Sequence, residues 1–287
     1  MQEIKEKYFE GERALYGLSN TILKNVTFGE GEYPLKETKD LEIKATIFKY
    51  KYPLWYSNNI NITDAIFETM SRSGIWYTNN ISIKNSNLQA PKLFRRCKNI
   101  TLDHIFFSNA KETMWTCEDI TIKNTEINGD YFGKDSSNIY YVFDGAKNIV
   151  CKNCSFVSKD AFWNCENVTL INCQIDGEYL SWNSSHITFK DCTIESDQGL
   201  CYMDHVTLEN CILNQTPLAF EKCSNIRATI NSKITSIKNP ISGIIKAKKI
   251  ETVIIDPTKV DPKATKIIFI EPVDREVSVS DQNQEGE

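Results

Sequence analysis

Apolar and polar residues alternate in short bursts that return every 19 to 21 residues along most of the chain. The run Asn167-Val-Thr-Leu-Ile-Asn-Cys-Gln-Ile175 recurs as His186-Ile-Thr-Phe-Lys-Asp-Cys-Thr-Ile194 and again as His205-Val-Thr-Leu-Glu-Asn-Cys-Ile-Leu213. In each copy the first and third residues after the leading Asn, Asp or His are mostly apolar and the second mostly polar. That is the period-two signature of a strand with one buried face. A second burst follows, as in Cys192-Thr-Ile194, and a third precedes the next leading residue, as in Ala161-Phe-Trp163. The leading positions are Asn20, Asp40, Asn59, Asn80, Asn99, Asp119, Asn148, Asn167, His186, His205 and Asn225, and only the 29-residue step from Asp119 to Asn148 breaks the period.

Three short strands and three turns in each repeat make one coil of a right-handed parallel β-helix. The pattern therefore predicts an all-β solenoid of about eleven coils stacked ~4.8 Å apart. A leucine-rich repeat has a similar length, but its leucine frame and alternating helix are absent. Between the first two bursts runs a column of Asn25, Asp64, Asn85, Asn124, Asn153, Asn172, Asp191 and Asn210, with Ala45 and His104 as exceptions. Asn and Asp tolerate left-handed backbone angles, so this column predicts a tight turn. Residues 1–18 are expected to cap one end, 19–234 to form the β-helix, and 235–270 to close it. The polar, acidic stretch 271–287 is expected to be disordered.

All five tryptophans, Trp55, Trp76, Trp115, Trp163 and Trp182, stand four residues before a leading position. Their column also holds Lys36, Arg95, Asp144, Cys201 and Glu221, whereas the column one residue earlier is almost uniformly apolar, from Leu35 and Leu54 to Phe220. Strand alternation then turns the tryptophan column outward, as an aromatic stripe with interspersed charges. Bulges that turn the indoles inward are the alternative. An outward stripe suits sugar rings, with Trp55, Trp76, Trp115, Trp163, Trp182, Arg95 and Lys36 as ligand-binding candidates. Asp144, Asp160, Glu221 and Arg95 are the catalytic candidates, because a glycosidase needs carboxylates ~5 to 10 Å apart, or one to two coils. The long step carries extra residues around Gly129-Asp-Tyr-Phe-Gly-Lys-Asp-Ser-Ser-Asn138, and a loop inserted beside a regular face is a common seat of function.

Composition narrows the partners. A net charge of −5 offers no basic surface for a nucleic-acid backbone, and no apolar run is long enough to span a membrane. A charged N-terminus unlike a signal peptide leads to the expectation of a cytoplasmic protein with reduced thiols. Cys154, Cys173, Cys192 and Cys211 share one register, and Cys97, Cys117, Cys165 and Cys223 another. Val26, Ala65, Ala146 and Met203 fill the same registers, so these thiols are expected in the core, with no metal or other cofactor. His186 and His205 are expected to be stacked turn residues.

The phrases Gly11-Glu-Arg-Ala-Leu-Tyr16, Tyr52-Pro-Leu-Trp55, Asp160-Ala-Phe-Trp163, Gly177-Glu-Tyr-Leu-Ser-Trp182, Leu218-Ala-Phe-Glu221 and Ser236-Ile-Lys-Asn-Pro240 occur in order. Together they resemble a bacterial family catalogued as domain of unknown function 3737, over about residues 1–255, with a departure around 129–147. The resemblance implies a pectate-lyase-like β-helix and a cytoplasmic bacterial protein, and brings no catalytic residues. Neither the Asp clusters with Gly-His-Gly of polygalacturonases nor a lyase-type arginine motif is present. Three functions are expected from the sequence: carbohydrate binding along the tryptophan face, a lyase or hydrolase acting on intracellular oligosaccharides, or a structural or protein-interaction scaffold.

Overall fold

The computed structural model describes residues 1–129 and 141–270, so most of the inserted stretch 129–138 and the whole of 271–287 lie outside the described residues. Strands and turns account for the described chain, with no helix among them. Each strand that opens a repeat pairs in parallel with its equivalent one repeat on, as Glu166–Ile171 does with Ser185–Lys190. The product is an all-β parallel solenoid of about 14 turns. The turns beyond the eleven expected come from Gln2–Lys5 at the start and from Gly243–Ile254 and Thr265–Phe269 at the end, where the period is too blurred to read. Glu118–Lys123 pairs directly with Lys147–Lys152, so the long step adds no coil.

Corners explain the polar columns. The leading residues, Asn20 through Asn225, all have φ between 50° and 58°, and the second column, Asn25 through Asn210, lies between 47° and 56°. For most L-residues that conformation costs roughly 1 kcal/mol, and Asn and Asp bear it best. Stacking then turns the corners into hydrogen-bonded ladders. The Asn167 amide donates to Asn148 at 3.1 Å and Asn148 to Asp119 at 2.8 Å, while Asn172 donates to Asn153 at 2.9 Å. Two further corners of mixed composition are left-handed, for example Tyr56 and Tyr77 at 56° with Asn164 and Asn183 in the same column, and Tyr179 at 50°, so a coil turns at four corners rather than the three expected.

Inward columns fill the interior. Phe28, Phe48 and Phe67 stack at 5.3 and 4.5 Å, and Phe143 and Phe162 at 4.9 Å. All ten cysteines are buried and unpaired. One of their columns alternates with Ser and Thr for a physical reason. Ser57 Oγ, Thr78 Oγ1, Cys97 Sγ, Cys165 Sγ and Ser184 Oγ donate to the carbonyls of Leu35, Leu54, Ile75, Phe143 and Phe162, at 3.0, 2.9, 3.1, 2.8 and 2.6 Å. A small donor is favoured there because a buried carbonyl left alone is costly, although Ala146 and Met203 also occupy the column. Burial pushes the Cys201 thiol up to about 12 and raises Cys151, Cys165 and Cys223 as well. Because all ten are buried, native protein at pH 8 is expected to leave its thiols unlabelled by an aromatic disulfide reagent, and to release all ten in denaturant. Rapid labelling of three or more thiols in the native state would contradict this burial.

Candidate functional site

The column one residue before the tryptophans is fully buried, with Leu54, Ile75, Phe94, Phe143, Phe162 and Phe220 each at 0% exposure. Alternation therefore turns Trp55, Trp76, Trp115, Trp163 and Trp182 to the outer wall, where all five are half-buried. Parallel pairing sets Trp55 against Trp76, Trp76 against Arg95 and Arg95 against Trp115. The indoles of Trp55 and Trp76 stack at 4.9 Å and 11°, and the Arg95 guanidinium lies between Trp76 and Trp115 at 4.6 and 4.7 Å from their rings. Tyr141 continues the stack, 6.4 Å from Trp115 and 5.1 Å from Trp163, and Trp163 meets Trp182 at 5.7 Å. Tyr33 and Tyr52 extend it at one end and Tyr202 at the other. At ~4.8 Å per coil the stack runs about 40 Å.

This stack is also anchored to the backbone. Indole Nε1 donates from Trp55 to the Ser73 carbonyl at 2.6 Å, from Trp76 to Lys92 at 3.0 Å, from Trp115 to Tyr141 at 2.8 Å and from Trp182 to Gln198 at 2.9 Å. Ring faces are thus spent largely on neighbouring rings, and ring edges face outward. Beside the indoles stand Tyr56, 50% exposed and stacked on Tyr77 at 4.8 Å, and Tyr202, 41% exposed. Lys36 lies over Tyr33 and Tyr56 at 5.4 and 5.7 Å, and Arg96 over Tyr77 at 5.9 Å. Cations in these positions gain from the ring quadrupoles, and Lys36 is also 3.8 Å from the Glu37 carboxylate.

Of the acidic candidates, Asp160 has the most perturbed setting. It is 5% exposed, and its Oδ1 is buried with no hydrogen-bond partner. Burial, reinforced by Glu178, lifts its carboxyl to about 7 against the opposing pull of Lys159. Lys159 is itself 3.7 Å from Glu178 and 5.2 Å from the centre of the Tyr179 ring. Asp144 accepts a 2.9 Å bond from the Asn164 amide, which makes it the foot of another corner ladder. Both carboxyls bear on one phenol, since burial and then Asp160 and Asp144 raise the Tyr141 hydroxyl. Glu221 is apart from them, tied to Lys238 at 3.0 Å and 13% exposed at its side chain. Arg95 is held in the indole stack two coils before Asp144.

The structure thus gathers the tryptophans, Arg95 and Lys36 on one face and Asp144 and Asp160 around Tyr141, and leaves Glu221 outside that group. The tyrosines of the stack were not legible from the repeat, because Tyr33, Tyr52 and Tyr141 fall outside the tryptophan column. Among the described residues no group of three or more His, Cys, Asp or Glu is placed to hold a metal ion, and no helix is long and apolar enough to cross a membrane.

The family described as Protein of unknown function (DUF3737) matches residues 2–268. The chain belongs to that family. No curated protein matches this DUF3737 sequence. Two solved structures are similar to it over most of its length. One is PfbA, a surface adhesin of Streptococcus pneumoniae, with 11% identity, a TM-score of 0.40 and coverage of 96% of this chain and 88% of that one. Another is the A-module of the Azotobacter vinelandii mannuronan C-5 epimerase AlgE4, with 10% identity, a TM-score of 0.40 and coverage of 94% and 89%.

Proposed function

We propose that this protein binds an oligosaccharide along its aromatic and cationic face. The observation that carries the reading is the continuous outer stack from Tyr33 to Tyr202, in which Arg95 and Lys36 sit among the rings. A long, straight, regularly spaced surface suits an extended polymer better than a compact molecule. Because the ring faces are largely occupied, sugars would meet ring edges, tyrosine hydroxyls and cations. Recognition then rests on hydrogen bonds and charge more than on flat stacking. Ten unpaired cysteines support a reducing, cytoplasmic setting, and the net charge of −5 is the reason neither nucleic acid nor an anionic membrane is proposed as partner.

Two observations favour other readings. A buried carboxyl at about 7 beside a phenol is poised for proton transfer near neutral pH, which favours an enzyme acting on the same ligand. The bonding of four indole N–H groups to backbone carbonyls favours a rigid scaffold. Tryptophan fluorescence separates the three, since every tryptophan lies in the stack. Binding predicts a saturable change in emission with one member of a panel of neutral and uronate oligosaccharides, weakened about tenfold or more in Trp76→Ala/Trp182→Ala. Turnover of that ligand, lost in Asp160→Asn with binding retained, would make the protein an enzyme. Emission unmoved by every sugar at millimolar concentration would sink the carbohydrate reading and favour the scaffold.

A further inference from the structure

A concave region lies on the long opening sheet, away from the tryptophan face. It is a groove of about 450 Å³ whose polar lining is His186, Thr188, His205, Thr207, Asn225 and Arg227, with Ile226, Gly243 and the exposed Ile244 completing it. It opens where the corner ladder stops. The rung after Asn225 is Ser242, whose Oγ accepts from the Asn225 backbone N–H at 2.9 Å, and beside it Gly243 has φ of 128°, where a Cβ would lie 2.2 Å from the Ile226 carbonyl oxygen.

The polar groups at this end are oriented. His205 Nδ1 is 2.7 Å from Asp204 Oδ2, while Asp204 Oδ1 accepts from Ser224 Oγ at 2.5 Å and from the Asn225 amide at 2.7 Å. Those partners, Ser224 first, hold the Asp204 carboxyl down at about 2. It stays ionised with its side chain 48% exposed, its oxygens turned to these donors, and its bond to Nδ1 leaves Nε2 of His205 for the groove. The His186 ring lies parallel to that of His205 at 4.5 Å and 11°. Arg227 stands beside Thr207 in the sheet and is exposed, with no carboxylate partner among the described residues.

We infer that this groove is a binding site for a small ligand carrying a carboxylate or phosphate group. The anion would lie against the Arg227 guanidinium, with the Thr188 and Thr207 hydroxyls as neutral donors; His205, whose Nδ1–H is given to Asp204, adds an Nε2–H donor only when its ring carries both protons. A planar five-donor guanidinium beside neutral donors is the arrangement that recognises such oxygens. Elsewhere the chain supplies an internal control. His104 makes the same kind of local pair with Asp103, at 2.8 Å, but lines a region that holds Asp64 and Glu126 and no arginine.

Only three histidines exist, so their imidazole signals can be followed individually by NMR. Titration of the full chain with inorganic phosphate, and separately with glucuronate, is expected to shift the His186 and His205 signals saturably and leave His104 still. The anion that saturates at lower concentration identifies the group preferred. Arg227→Gln should weaken that binding about tenfold or more, while His104→Ala leaves it unchanged. The site is refuted if no signal moves up to tens of millimolar anion, if His104 moves in parallel with His205, or if folded Arg227→Gln binds as wild type. Failure of the aromatic face to bind sugar leaves this test unaffected, because the groove shares no residue with that face.

Discussion

Replacing Asp160 by asparagine is expected to stabilise the protein at pH 8 and to leave its stability unchanged below about pH 4. The sign follows from the direction of the shift. A carboxyl raised from 3.8 to about 7 in the fold is favoured there as the neutral acid, so its contribution is fully present below the unfolded value. As pH rises through the folded value, the group must ionise while buried, and that contribution is lost. Asparagine removes the ionisation. The gap between the two values corresponds to on the order of 2–4 kcal/mol at pH 8, or several degrees of melting temperature for a chain of this size. Thermal unfolding of both proteins between pH 4 and pH 8 measures it, and parallel curves would show that Asp160 is not held neutral. A residue that destabilises the fold it belongs to, with an oxygen left unbonded, is the pattern expected where function has been traded against stability.

The second large effect lies in the core. Phe162→Ala should cost about 3–5 kcal/mol, because the ring is fully buried, stacked on Phe143 at 4.9 Å and edge-on to Phe156 at 5.5 Å. Neighbouring coils cannot close the gap without breaking their own stacking. In a solenoid the loss is felt mainly by adjacent repeats, so hydrogen exchange should accelerate first in Lys147–Lys152 and Glu166–Ile171. A loss below about 1 kcal/mol in urea unfolding would mean that this interior is plastic rather than close-packed.

How much of this could be read in advance depended on which residues are restricted by the backbone. Two corners of each coil were visible because Asn and Asp dominate left-handed positions, as at Asn148 and Asn153. The other two were hidden because Tyr56, Arg96 and Tyr179 adopt the same angles with no distinctive composition, their cost offset by stacking. Outward placement of the tryptophans followed from alternation with Leu54 and Phe162. That their rings would face one another did not follow, because it depends on the side-chain torsions that send Nε1 to a carbonyl one coil on. Burial of Asp160 was likewise invisible, since an aspartate before Ala161-Phe-Trp163 reads as a surface turn. The cysteine columns were legible as core, but their bond to the carbonyl beneath required the coordinates.

The direct pairing of Glu118–Lys123 with Lys147–Lys152 has a consequence for how such a chain can change. Strand register is set rung against rung, so the number of residues between two rungs is free provided the chain returns to its place. Segments can therefore be added at corners, or whole coils duplicated, without retuning the rest of the interior. Growth by insertion, which disrupts most globular cores, here alters only what is displayed on the wall.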